Sequence, residues 1–189
     1  GADGVPLRKA IVWLDNRAVR EAGEIAAAFD LEDVYRITGQ QEIVPCWPAA
    51  KILWLRRNEP DVFRATARFL LAEDYILYRL TGRWATDHAL NPSTLYYDLT
   101  RGDWWSDMLA FLGIRREQLP ELHVSGQCVG HVSASDTGLD ARTMVVAGPL
   151  DQVAGAVGAG NIAPGMVTEN TGSAMAICAS CDRAVYDPQ

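Results

Sequence analysis

The sequence predicts an α/β fold, in which short strands alternate with amphipathic helices. The chain has 189 residues, and an apolar strand pattern occurs early, at Ala10–Trp13. A second apolar run over residues 143–147 is typical of a buried strand. Between the two runs, apolar residues recur at helical spacing in stretches bounded by glycine, proline or a polar cap. These patterns predict helices and strands within one fold.

Helices dominate the first two thirds of the chain. Apolar side chains line one face of residues 17–29, with Asp15 or Asn16 as the cap, and a short helix over residues 33–37 ends at Gly39. The aromatic pairs at 96–97 and 104–105 are predicted to fill the core. Further helices are predicted over residues 49–57, 60–66, 73–80, 105–112 and, as a short helix or turn, 116–122.

Strands are predicted mainly in the last third. Residues 94–98 and 143–147 have strand patterns, and a helix of small residues follows over 151–159. Residues 166–169 and 173–178 then resemble a strand pair around a turn.

Composition excludes several classes of protein. The 17 basic and 24 acidic residues give a net charge of −7, which argues against a general nucleic-acid binder. No apolar run approaches the roughly 18 residues of a membrane span, and the first residues lack a signal-peptide layout. The 4 cysteines are too scattered for a disulfide framework. These features predict a cytoplasmic protein without nucleic-acid or membrane partners.

The candidate catalytic residue is Asp151, which stands where the 143–147 strand gives way to a helix. Ligands of open α/β sheets bind beyond the carboxyl ends of the strands. A carboxylate at that place can accept the proton of a hydroxyl group, as the base of a phosphoryl-transfer site does. The alternative is that Asp151 only caps the helix.

Trp13, Asp15 and Arg17 form the second candidate group. Alternation places them on one side of the chain if the backbone stays extended. An aromatic wall beside charged hydrogen-bonding groups suits a polyol. The alternative is a core tryptophan, a helix cap and a surface arginine.

The third candidate group is the turn that contains Gly172 and Ser173. Backbone N–H groups and hydroxyls in such a turn can form an anion nest for phosphate, or the turn can be an ordinary hairpin turn. The single CxxC of Cys178 and Cys181, with the nearby histidines, makes zinc a minor alternative.

Taken together, these segments resemble the FGGY family of carbohydrate kinases, which includes xylulokinases, glycerol kinases and ribulokinases. The resemblance covers almost the whole chain and keeps the order of the family's landmarks. One departure is Cys46, where the family signature prefers an aromatic residue, Met, Gly or Ser. The segments that carry the resemblance are A-I-V-W-L-D-N-R at 10–17, P-A-A-K-I-L-W-L-R-R-N at 48–58, L-T-G at 80–82, T-D at 86–87, the region 104–120, G-P-L-D-Q at 148–152 and G-S at 172–173.

The resemblance implies a partial ribonuclease-H-like (actin-like ATPase) lobe with a helical insertion. Residues 1–165 would be the sugar-binding lobe without its first strands, and residues 166–189 would begin the ATP-binding lobe. ATP and Mg²⁺ would be the cofactors, and the parent enzyme would be a homodimer.

The resemblance also implies residue roles in ATP-dependent phosphorylation of a sugar or polyol. Asp151 would be the general base. Gly172 and Ser173 would contact ATP phosphate, with Ser173 in place of the family's threonine, and no protein metal ligand is assigned. The residues expected to contact the sugar are Trp13, Asp15, Arg17, Trp47 and Gln152.

We expect this polypeptide to be a piece of a longer kinase that is inactive alone, because the family's D-x-G-T hairpin and second lobe are not in the sequence. A non-catalytic sugar-binding subdomain is the alternative. The sequence does not identify the sugar or polyol.

Overall fold

The computed structural model describes residues 1–133, 137–172 and 175–186. It divides into two compact units, Gly1–Ala147 and Gly148–Gln189. Both units combine helices with short strands, as the sequence predicts.

The first unit is mainly helical. Asp30 caps the second helix by accepting hydrogen bonds from the N–H groups of Glu32 and Asp33. Glycines in the left-handed conformation follow the second, fifth and sixth helices, where residues with a side chain would be strained. The helices are α1 (Val19–Ala28), α2 (Leu31–Thr38), α3 (Pro48–Asn58), α4 (Pro60–Ala65), α5 (Ala72–Thr81) and α6 (Ser106–Leu112).

Within residues 1–133 and 137–147, the strands form three two-stranded sheets. The first is parallel, with Asp87 opposite His123, and the other two are antiparallel. The pairs are β1 (Ala85–Asp87) with β4 (Glu121–His123), β2 (Tyr97–Asp98) with β3 (Asp103–Trp104), and β5 (Cys128–His131) with β6 (Met144–Val146).

Two apolar clusters fill the first unit. The smaller cluster joins Leu77 of α5 to residues of β5 and β6, including Val129 and Val145. In the larger cluster, the Phe29 ring meets the Trp105 ring edge-on at 5.0 Å between centroids. The predicted core aromatics Tyr96, Tyr97, Trp104 and Trp105 all belong to the larger cluster.

Two buried acids lie inside the helical part. Glu21 of α1 is 2% exposed and pairs with the guanidinium of Arg57 on α3. Asp74 of α5 is also 2% exposed, and it accepts a hydrogen bond from the Leu71 N–H at 2.8 Å. Burial raises the pKa of Asp74 from 3.8 to about 7.

Leu95 combines full burial with an unusual backbone. Its φ is 67°, and its side chain is 0% exposed within the larger core cluster. Among the described residues, it is the non-glycine residue with a positive φ. Packing therefore holds a side chain where the backbone favours glycine.

In the second unit, residues 148–172 and 175–186 form a helix and a pair of antiparallel strands. Helix α7 (Asp151–Gly158) is followed by β7 (Val167–Thr171) and β8 (Met175–Ala179), which pair antiparallel. The side-chain amide of Asn161 donates to the Thr168 hydroxyl at 3.2 Å and to the Cys178 carbonyl at 2.9 Å. A Cβ on Gly155 would lie 3.3 Å from the Asn170 amide, so a small residue suits this contact.

Several sequence predictions of local structure are wrong. Residues 10–13 form no strand: the Val12 carbonyl accepts the Asp15 N–H at 3.0 Å, which makes a turn. The expected cap of α1 is also wrong, because its N-cap is Ala18. The 94–98 strand is reduced to β2, and a short helix over residues 92–94 precedes it. The 143–147 run is a strand but is not buried on both faces, because Met144 and Val146 are exposed.

Candidate functional site

The first part of the candidate site is the turn of residues 12–17, which we call the Arg17 turn. The sequence predicted that Trp13, Asp15 and Arg17 would share one side of an extended chain. The backbone turns here instead, so alternation does not place these three side chains. Instead, Arg17 holds the Asp15 carboxylate with two side-chain bonds, Nε to Oδ1 at 2.9 Å and NH2 to Oδ2 at 2.7 Å. Its backbone N–H also donates to Asp15 Oδ1 at 2.9 Å.

This pairing changes the acidity of Asp15. Hydrogen bonds from the Arg17 side chain, and then from its backbone N–H, lower the pKa of Asp15 from 3.8 to about 2. The same side-chain bond raises the pKa of Arg17. Asp15 is therefore a charged hydrogen-bond acceptor that stays ionised to low pH.

Trp54 supports the turn from helix α3. The guanidinium carbon of Arg17 lies 4.8 Å from the centroid of the Trp54 ring, a cation–π distance. Lys51, one turn earlier on the same helix, donates to the carbonyls of Val12 and Trp13. Sequence reasoning placed Lys51 and Trp54 in a family motif but gave them no role.

Trp13 is available for ligand contact. Its side chain is 67% exposed, which rules out the alternative of a core tryptophan. Trp47 is half-buried and lines a surface cavity of about 290 Å³ together with Val44 and residues 39–42. Its indole N–H donates to the Glu42 carbonyl at 3.3 Å. The cavity therefore has an aromatic wall and polar neighbours.

Asp151 and Gln152 begin helix α7 in the second unit. The N-cap is Leu150, and the exposed Asp151 carboxylate accepts the Gln152 N–H at 2.9 Å. The rest of that carboxylate faces solvent. Gln152 presents a contrast, because its amide Oε1 is buried and has no hydrogen-bond partner among the described residues. A buried unpaired acceptor is costly, so this oxygen suits a hydrogen-bond donor from a ligand.

The predicted phosphate turn follows β7. Gly172 is exposed, and a Cβ at this position would meet no atom within 4 Å. Ser173 lies outside the described residues. On the preceding strand, the Thr171 hydroxyl donates to the Glu169 carboxylate.

The structure offers neither a metal centre nor a membrane span among its described residues. Within residues 1–133, 137–172 and 175–186, no group of three or more His, Cys, Asp or Glu side chains could hold a metal ion. The zinc alternative therefore has no support in this part of the chain. None of the helices in the described ranges is long and apolar enough to cross a membrane.

Comparison with known proteins identifies the family. The family model described as FGGY family of carbohydrate kinases, N-terminal domain, matches residues 2–158. The chain belongs to the FGGY family of carbohydrate kinases. It is 36% identical over 163 residues to the xylulose kinase of Bacillus subtilis, which covers 84% of this chain and 32% of the relative. With the autoinducer-2 kinase of Yersinia enterocolitica it shares 30% identity over 182 residues, covering 93% of the chain and 34% of the relative.

Solved structures agree with this FGGY membership. The crystal structure of xylulose kinase from Rhodospirillum rubrum matches with a TM-score of 0.91 and 32% identity, covering 98% of this chain and 38% of that one. The gluconate kinase of Lactobacillus acidophilus matches with a TM-score of 0.90 and 27% identity, covering 100% and 39%. The predicted fold class, a partial ribonuclease-H-like lobe with a helical insertion, is confirmed. The chain spans about a third of the length of the curated relatives it matches.

Proposed function

We propose that the protein phosphorylates a sugar or polyol hydroxyl with ATP. Membership of the FGGY family carries this proposal. Xylulose is the substrate to test first, because relatives named xylulose kinases are up to 36% identical to the chain.

We assign the role of general base to Asp151. Its exposed carboxylate has solvent-facing lone pairs and sits at the first residue of a helix, where negative charge is stabilised. The carboxylate accepts the proton of the attacking hydroxyl while the sugar oxygen bonds to phosphorus and the bond between the phosphoryl group and the leaving nucleotide breaks.

We assign sugar binding to Trp13, Asp15, Arg17, Trp47 and Gln152. The exposed Trp13 ring offers a face for the C–H groups of a sugar. Asp15 stays ionised to low pH and can accept hydroxyl hydrogen bonds, while Arg17 keeps it oriented. The buried Oε1 of Gln152 gains a partner when a hydroxyl donates to it.

ATP with Mg²⁺ supplies the phosphoryl group when bound. Gly172 fits a phosphate contact, because the space at its missing side chain is open. We assign Gly172 and Ser173 to this contact. No described acidic cluster supplies a set of metal ligands, so we assign no residue to Mg²⁺.

The proposal extends to the organisation of the chain. Residues 1–165 belong to the sugar-binding lobe, and residues 166–189 begin the ATP-binding lobe. Since the chain covers only 32% of the Bacillus xylulose kinase, we infer that these 189 residues alone do not turn over substrate. A cytoplasmic location, a homodimeric enzyme and the lack of nucleic-acid or membrane partners stay predictions.

The test uses the full-length protein and follows ADP release with xylulose, gluconate and glycerol. Asp151→Asn should lower kcat by at least about a thousandfold and leave sugar binding intact. The control is Asp107→Asn, because Asp107 is an exposed acid in the first turn of α6. Near-normal turnover by the Asp151 variant would refute the base assignment. Sugar binding without turnover in the unsubstituted protein would favour the non-catalytic sugar-binding alternative.

A further inference from the structure

Lys51 is a buried cation whose partners are backbone carbonyls. Lys51 lies on α3 and is 8% exposed. The ammonium donates to the Val12 carbonyl at 2.9 Å and to the Trp13 carbonyl at 3.2 Å. Burial lowers the pKa of Lys51, while the nearby Cys46 and Asp15 oppose that shift. A buried ammonium is costly unless its donors are paired, so both carbonyls are strongly held.

The two carbonyls determine the path of the Arg17 turn. Val12 and Trp13 are consecutive, and Val12 also accepts the Asp15 N–H that closes the turn. Holding these two carbonyls orients the two peptide planes on either side of Trp13, because each peptide unit is planar. The direction in which Trp13 leaves the backbone is set by the same planes.

Helix α3 and the residue that follows it contact residues 8–17 at three points. Lys51 holds the backbone of the turn, and Trp54 stacks on the Arg17 guanidinium. Glu59, just beyond the helix, accepts the Arg8 side chain at 2.8 Å. Only the Lys51 contact, of these three, reaches the turn through its backbone, and therefore acts on Trp13 and Asp15 together.

We propose that Lys51 is a positioning residue that holds the Arg17 turn in its sugar-binding conformation. The proposal rests on the proposed function, since it takes the turn as part of the sugar site. Loss of the ammonium leaves the Val12 carbonyl with the Asp15 N–H alone and removes the α3 donor from the Trp13 carbonyl, so the backbone at Trp13 is tied to α3 only through the Arg17–Trp54 contact. The cost falls on sugar affinity and not on the transfer of phosphate.

The first test is hydrogen exchange on the full-length protein, in the unsubstituted form and with Lys51→Met. Exchange of the amides of residues 13–17 should rise about tenfold or more, while the core amides of residues 104–112 keep their protection. Lys9→Met is the matched control, because Lys9 is exposed and lies a few residues before the Arg17 turn. If Lys51→Met does not fold, Lys51→Gln, which removes the charge and shortens the side chain, is measured in the same way. Unchanged exchange at 13–17 in the folded variant overturns the proposal.

The second test separates positioning from stability through kinetics. Lys51→Met should raise the KM for the sugar about tenfold or more and leave the KM for ATP and kcat within about twofold, because only the sugar contacts loosen. Lys51→Arg should restore part of the lost affinity. A fall in active fraction with an unchanged sugar KM would mean a purely structural lysine and overturn the proposal.

Two further variants distinguish failure of the proposal from failure of the proposed function. Trp13→Ala and Arg17→Ala remove the proposed sugar contacts directly. If they raise the sugar KM and Lys51→Met does not, the positioning role is wrong. If neither they nor Lys51→Met move the sugar KM, the sugar site assignment is wrong, and with it the claim that Lys51 acts on sugar binding.

Discussion

The guanidinium of Arg17 lies 4.8 Å from the centre of the Trp54 ring and grips the carboxylate of Asp15 with two side-chain bonds. One charged group thereby joins a helix to a turn. Its planar fork suits both contacts, because the flat face stacks on the ring while the edge matches the carboxylate.

Arg17→Lys tests the importance of that fork. A lysine keeps the charge but cannot make the bidentate contact, so the pKa of Asp15 should rise from about 2 towards 3.8. Titration of the Asp15 carboxyl by NMR measures this change. We also expect the sugar KM to rise about tenfold. Arg20→Lys, in an exposed pair with Glu24, is the control, and an Asp15 pKa that stays near 2 would contradict the prediction.

Gln152→Met tests whether the buried amide oxygen serves a ligand. The substitution removes an unpaired acceptor, so the melting temperature without sugar should stay the same or rise slightly. The sugar KM should rise about tenfold or more, because a hydroxyl loses its partner.

Gln118→Met is the matched control for that variant. Gln118 is 8% exposed, and its amide bonds the Thr66 carbonyl at 2.8 Å and the Arg115 N–H at 3.0 Å. It should lose ~1–3 kcal/mol of stability and leave the sugar KM unchanged. The reverse pattern in the two variants would contradict a ligand role for Gln152.

Asp74→Asn tests a pH dependence of stability. The pKa of Asp74 is about 7 in the folded state, against 3.8 for a free aspartate side chain, so the folded state holds the proton more tightly. Its contribution to stability is fully present below about pH 4 and is lost as the pH rises to about 7, an effect of up to ~4 kcal/mol. Urea denaturation across this range should show the loss in the unsubstituted protein and a flatter profile in the variant. Asp61→Asn, at an exposed acid, should keep the original slope.

Glu21→Gln tests the buried ion pair between α1 and α3. Glu21 is 2% exposed, and the glutamine loses the charge-assisted bond from Arg57, which is itself exposed and keeps its bonds to Glu24. We expect a loss of ~1–3 kcal/mol in the free energy of unfolding, measured by chemical denaturation. Glu24→Gln, at the exposed partner of the same arginine, should cost less than ~1 kcal/mol. Equal losses would show that burial does not distinguish the two acids.

Local chemistry explains why the helices could be predicted from the sequence. The bounds of α2, α5 and α6 follow from the apolar spacing within each helix and from the glycine that ends it. These signals lie within the helix or next to it in the sequence. The short strands β1 and β4 were missed because a strand of three residues is defined by its partner, here 36 positions away in register.

The candidate site divides in the same way. Asp151 could be proposed because its strand, turn and helix are contiguous in the sequence. The contact that Lys51 makes with the Arg17 turn could not be predicted from the sequence, because its carbonyl partners lie 38 and 39 residues away. The prediction of a strand over residues 10–13 was wrong for a related reason. An apolar pattern does not show whether the backbone has a neighbouring strand to pair with.

Leu95 also constrains how this sequence can diverge. Its left-handed backbone favours glycine or asparagine, and its fully buried side chain fills space that either of them would empty. Each single replacement that relieves one demand worsens the other. Position 95 therefore tolerates substitution poorly, because a replacement that relieves the backbone leaves a cavity in the core.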